Sequence, residues 1–160
     1  MKSFAARQMI YGAMTSVLVM ITTAFIRIPG PLGYIHLGDA VVLLSAVYVG
    51  RPAVLGSAIG AALADILSGF PLYAPITAVI KAGMALLACR GAGKRRWLYF
   101  VMAALFMAAG YCVYECFIYG PAMAVTAVPF NLVQGTAAVL IGGLLSHRRV
   151  LERINLQDLK

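Results

Sequence analysis

Residues 9–28 read MIYGAMTSVLVMITTAFIRI, twenty positions with a single charge, Arg27, next to the far end. A helix of that length rises about 30 Å, the thickness of a bilayer's hydrocarbon core. Lys2 and Arg7 stand ahead of it as in a secretory signal, but the run exceeds a signal's apolar core and has no clear small-x-small cleavage site. It is therefore read as a membrane-spanning helix. It stops at PGPLG (29–33), a sequence that cannot continue a helix.

The rest of the chain extends this reading. Hydrophobic residues make up 62% of the 160 positions and charged residues 11%, so water is not the main solvent. At about 20 residues per crossing, the length supplies roughly six spans and leaves no room for a soluble domain. They are expected near 9–28, 40–50, 53–68, 74–89, 97–119 and 128–145: an all-α integral membrane bundle forming one domain over 1–160. Asp39 is read as the N-cap of a second helix that is short for a full span. Gly56, Ser57, Gly60, Ala61 and Ala64 let neighbours approach the third closely. Pro75 opens the fourth, Trp97 anchors the fifth, and Gly120-Pro121 separates the fifth from the sixth. The polar tail 146–160 is expected to extend the last helix into the cytoplasm. A re-entrant second and third helix would draw Arg51 into the membrane at high cost.

The net charge is +8. Its carriers sit where apolar runs stop: Lys2 and Arg7; Arg51; Arg90, Lys94, Arg95 and Arg96; Arg148, Arg149 and Arg153. By the positive-inside rule all four places are cytoplasmic, so both termini face the cytoplasm and no nucleic-acid partner is expected. Cys89, Cys112 and Cys116 lie in apolar runs without zinc spacing and read as buried small side chains, so neither a metal nor a cofactor is expected.

Ionisable groups cost about 2.5–3.5 kcal/mol in hydrocarbon, so those inside the spans point to function. Arg27, His36 and Asp39 border the first outer loop, Asp65 and Glu115 lie about one turn inside their helices, and Asn131 and Gln134 share a face at i, i+3. Lys81 is the deepest, roughly 12 Å down the fourth helix. Tyr34, Phe70, Tyr73, Tyr111, Tyr114 and Phe130 fall at similar depth and offer rings for stacking. Apolar walls with a few converging polar groups describe a small-molecule pocket open to the outside. The plainer account is that Lys81 pairs with Asp65 or Glu115 to fix helix register, Asn131 and Gln134 bond neighbouring helices, and Arg27 reaches to headgroups. Spacings for a Ser-His-Asp hydrolase, HExxH, a P-loop or GxGxxG are missing, so no catalytic residue is nominated; GAGK (91–94) has neither the spacing nor the following Ser or Thr.

YIHLGD (34–39), GAALADILSGFPLYAP (60–75), IKAGM (80–84) and PFNLVQG (129–135) together resemble the substrate-binding S components of energy-coupling factor transporters, in the branch with riboflavin, pyridoxine and hydroxymethylpyrimidine carriers. The likeness spans nearly the whole chain. It implies a six-helix bundle in a prokaryotic plasma membrane that binds a vitamin or vitamin precursor on its outer side. It further implies docking on a membrane coupling subunit driven by two cytosolic ATPases, and toppling to release cargo. By position, the ligand would meet Tyr34, His36, Tyr73, Lys81, Glu115, Asn131 and Gln134, with Tyr111 among the rings. The family docks through a small-xxx-small motif of alanines on the first helix; here Gly12, Ala13 and Ser16 stand nearest and depart from that pattern. This mixture favours a pyridoxine-like or hydroxymethylpyrimidine-like ring over riboflavin. The other readings are a small membrane enzyme using Lys81, Glu115 and Asp65 on a lipid-borne substrate, and a structural membrane subunit.

Overall fold

The structure, a computed structural model, describes residues 2–30, 32–91 and 95–146. The expected tail helix, with Arg148, Arg149 and Arg153, lies outside the described residues apart from Ser146, as does Lys94. The order is α1 (Lys2–Phe25), β1 (Arg27–Pro29), β2 (Tyr34–His36), α2 (Gly38–Tyr48), α3 (Pro52–Leu67), α4 (Ala74–Arg90), α5 (Arg96–Tyr119) and α6 (Pro121–Leu145). Residues 5–25 of α1, all of α5 and all of α6 are long and apolar enough to cross a membrane; α2 and α3 are apolar but shorter.

Three boundaries differ from the sequence reading. The first helix ends at Phe25, and Arg27–Pro29 pairs antiparallel with Tyr34–His36, Ile28 opposite Ile35, so a short hairpin links the first two of the six helices described. Gly30 donates its N–H to the Gly33 carbonyl at 2.9 Å, closing the turn that Gly and Pro make cheap. The second helix starts at Gly38, which puts Asp39 inside its first turn, where its side chain caps nothing. The sixth starts at Pro121, seven residues before the expected Val128, and carries Pro129 inside it. Pro121 lacks only an N–H that a first turn leaves unpaired anyway, and Gly120, at φ 85°, makes the turn before it.

The short α2 is the hub. It packs against α1, α3, α4 and α6, and Val42 and Leu43 are fully buried beside Met84, Phe100 and Met107. Surrounding helices shield it, so it does not need a full crossing length. Lining up α1 with α3 depends on absent side chains: a Cβ on Gly60 would strike the main chain of Ser16, and one on Gly56 the Gly12 carbonyl and Thr15. Gly12 and Ser16, expected to meet a partner protein, are thus occupied by α3 within the chain, and only Ala13 of the three faces outward.

Polarity runs opposite to that of a water-soluble protein. Phe117 is 84% exposed whereas Lys81 is 1% and Asp39 0% exposed. Leu55, Leu67, Val133 and Leu144 are also more than half exposed, giving an apolar exterior around a charged interior.

Candidate functional site

At the hairpin end of the bundle a cleft encloses about 560 Å³, its open mouth included. The hairpin contributes Tyr34, His36 and the turn glycines Gly30 and Gly33; α3 and the loop after it contribute Asp65, Phe70 and Tyr73; α4 gives Thr77. Tyr111 and Glu115 come from α5, and Phe130, Asn131 and Gln134 from α6. Seven of the eight residues nominated from sequence therefore line one space: Tyr34, His36, Tyr73, Tyr111, Glu115, Asn131 and Gln134. Lys81 does not.

The rings form a continuous wall. Tyr34 lies 5.6 Å from His36 and 5.5 Å from Phe70, and Tyr73 lies 6.3 Å from Phe70 and 6.4 Å from Tyr111, all tilted or edge-on. Their hydroxyls are committed. Tyr34 donates to Asp65 Oδ1 at 2.7 Å, Tyr73 to Glu115 Oε1 at 3.4 Å, and the Thr77 and Tyr111 hydroxyls share a 3.0 Å bond. Burial and the neighbouring carboxylates, Asp65 for Tyr34 and Glu115 for Tyr73, push both phenols well above their ordinary range, so each stays a donor. Tyr114, expected among the rings, instead donates to the Leu72 carbonyl at 2.6 Å and holds the loop. Arg27, expected at the headgroups, lies over the Tyr34 ring at 5.1 Å.

Each carboxylate so engaged keeps one oxygen in hand. Asp65 Oδ2, Glu115 Oε2 and the Asn131 amide nitrogen are buried without a partner, and all three residues border the cleft. Buried polar atoms are nearly always paired, so two acceptors and one donor left unpaired on residues that border one cleft make it the candidate site.

Beneath this layer lies a second, closed one. Lys81 forms an ion pair with Asp39, not with Asp65 or Glu115. The other Asp39 oxygen accepts from Gln134 Nε2 at 2.7 Å, and Gln134 Oε1 accepts the His36 main-chain N–H at 3.0 Å. His36 Nδ1 accepts from the Gly38 N–H at 3.1 Å. Burial, helped by the Lys81 charge and opposed by Asp39, pushes the His36 imidazole down to about 4, so the ring is neutral near pH 7. A nitrogen that accepts carries no proton, so the proton sits on Nε2. Gln134 Nε2, also hydrogen-bearing, approaches that atom to 3.5 Å as a contact between donors. His36 Nε2–H is thus a second donor, beside Asn131 Nδ2, on a residue that borders the cleft.

The match with known proteins follows these features. The family model described as ECF-type riboflavin transporter, S component, matches residues 3–150. The chain belongs to this S-component family. An uncharacterized protein encoded in a gap 3′ region of Pyrococcus woesei is 36% identical over 138 residues, covering 81% of this chain and 92% of that protein. The thiamine precursor transporter HmpT of Lactococcus lactis subsp. cremoris is 30% identical over 139 residues, covering 86% of this chain and 81% of the transporter. No solved structure matches significantly.

This S component is a membrane transport protein, and its cleft includes two residues not nominated from the sequence: Asp65, read there as a partner for Lys81, and Thr77, which carries no reading there. Asp39, expected to cap a helix, lies in the closed layer beneath. For Thr77 the signal was available: it lies one helical turn before Lys81, on the same face of the fourth helix. Among the described residues no group of histidine, cysteine and carboxylate side chains is arranged to hold a metal, and the three cysteines are unpaired thiols.

Proposed function

We propose that this S component captures, from the outer side of the membrane, a small unphosphorylated heteroaromatic ring bearing amino or hydroxyl groups, of the hydroxymethylpyrimidine or pyridoxine type. The observation that carries the reading is the trio of unpaired atoms, Asp65 Oδ2, Glu115 Oε2 and Asn131 Nδ2, on one ring-lined cleft. Such a ring offers an amino or hydroxyl hydrogen to each carboxylate and a ring nitrogen to the amide or to His36 Nε2–H, while its faces meet Tyr34, Tyr73 and Tyr111. Lys81 supports the ring only indirectly, because its charge is spent on Asp39. Two carboxylates and no lysine or arginine among the described residues lining the cleft also disfavour a phosphate ester. The thiamine precursor transported by the Lactococcus relative is consistent with a pyrimidine-type ligand. A second reading, riboflavin itself, is favoured by the description of the matching family; its several hydroxyls would address the same acceptors.

In this account the helices make six crossings of a prokaryotic plasma membrane with both termini in the cytoplasm. Arg51, Arg90 and Arg95 stand at helix ends remote from the hairpin, which supports a cytoplasmic side there. The chain has no ATPase of its own and works with a membrane coupling subunit and two cytosolic ATPases. That subunit docks on the outward face of α1, where Met9 and Val17 are exposed on either side of Ala13. Ala13→Trp should abolish that association and spare ligand binding; retained association would remove the assignment.

The direct test is to purify the protein, identify any co-purified small molecule by mass spectrometry, and titrate it with B vitamins and their precursors. Sub-micromolar binding of one ring compound is expected. Binding of none of them would overturn the capture reading.

A further inference from the structure

Lys81 is the most deeply buried cation among the described residues, yet it touches no open space. Its ammonium reaches only the Asp39 carboxylate and the face of the Tyr111 ring, at 5.3 Å. Following the bonds outward gives the arrangement a direction. Asp39 Oδ2 accepts only hydrogens, so it forces the amide of Gln134 to turn its nitrogen inward. The amide oxygen then faces the His36 N–H, the first group of the hairpin that the chain must anchor to α6. Were the amide reversed, nitrogen would face N–H and oxygen would face carboxylate, two repulsive contacts in a buried place.

We infer that Asp39 and Lys81 form a positioning device for the hairpin: the ion pair sets the Gln134 amide, and the amide fixes strand β2 so that Tyr34 and His36 face the cleft. Lys81 acts by keeping Asp39 ionised in a site where a lone carboxylate is unstable, and Asp39 acts by dictating which way Gln134 points. The consequence for ligand capture rests on the proposed use of the cleft; the anchoring of the hairpin does not.

The ion pair is replaceable without emptying the core, because apolar residues of similar size often substitute for a buried pair at little cost. The test compares Asp39→Leu/Lys81→Met, which removes every acceptor for Gln134, with Asp39→Asn/Lys81→Met, which removes both charges but keeps an acceptor oxygen. Hydrogen exchange of the His36 amide in ligand-free protein is the first readout. Affinity for hydroxymethylpyrimidine is the second. The leucine pair should speed His36 exchange and weaken binding, each on the order of tenfold, equivalent to one buried hydrogen bond. The asparagine pair, whose amide can offer Gln134 either its oxygen or its nitrogen, should fall between the leucine pair and wild type. Unchanged exchange in both pairs, or equal acceleration in both, would overturn the inference, since then charge or packing rather than amide orientation would hold the hairpin.

If the leucine pair does not fold, Gln134→Leu, which leaves the ion pair in place, carries the test. It must accelerate exchange at His36 with little effect on α2 amides, and exchange unchanged from wild type would overturn the inference. Loss of binding with slow His36 exchange intact would instead count against the proposed ligand, not against the anchoring.

Discussion

Two sets of carboxylates sit a short distance apart in this protein, and they have opposite fates. Asp39 is sealed: both oxygens are bonded, one to Lys81 and one to Gln134, and no part of it reaches the cleft. Asp65 and Glu115 are half-used: a tyrosine holds one oxygen of each, and the other is buried without a partner on a residue that borders the cleft. A membrane interior tolerates charge only when it is answered, so the first set explains the fold and the second calls for something from outside. The same residue type is thus fully answered in one layer and left with an unpaired oxygen in the next, where the proposed ligand would meet it.

That contrast breaks most sharply at Lys81. Lys81→Ala strands a buried Asp39 carboxylate, at a cost on the order of 3–5 kcal/mol. It should therefore lower the yield of folded, monodisperse protein and the melting temperature, before any ligand is added. A variant that folds like wild type and fails only in binding would move Lys81 into the receptive layer.

His36 borders both layers and supplies a pH test. Its folded value, about 4, lies below its ordinary 6.5, so the unfolded chain takes up the proton more readily. Stability from this group is full above about pH 6.5 and declines as pH falls to about 4, by roughly 3 kcal/mol in all. His36→Gln should flatten that part of the stability profile. An unchanged slope would remove His36 from it.

Changes in the receptive layer should spare the fold. Glu115→Gln keeps the bond from Tyr73 and removes the charge, and should weaken ligand binding by about 1.5–3 kcal/mol with the melting temperature near wild type. Asn131→Leu removes one donor and should cost about 1 kcal/mol of binding, visible as a several-fold weaker Kd in titration calorimetry. Parallel losses of fold and binding in both variants would assign these side chains to the structural layer.

Much of this was legible in the chain. Long apolar runs and the placement of basic residues mark the helices, and scarcity of polar groups inside them points to the cleft lining. The hairpin was not legible, because three-residue strands around Gly30 and Gly33 show no sustained alternation. The sixth helix was expected from Val128, whereas α6 starts at Pro121 and runs through Pro129. Asp39 reads the same in sequence whether it caps a helix or seals a lysine 42 residues away, and only packing decides. Gly12 and Ser16 announce a close helix approach without saying which helix approaches; here it is α3.

The central claim is that the unpaired carboxylate oxygens of Asp65 and Glu115 hold the hydrogens of an uncharged or protonated ring. Titration of the purified protein with hydroxymethylpyrimidine and with its phosphate ester, in wild type and in Asp65→Asn/Glu115→Gln, tests it most directly. The account predicts tight binding of the free compound, much weaker binding of the ester, and loss of the difference in the double variant. Preference for the ester, or undiminished affinity in the double variant, would contradict it.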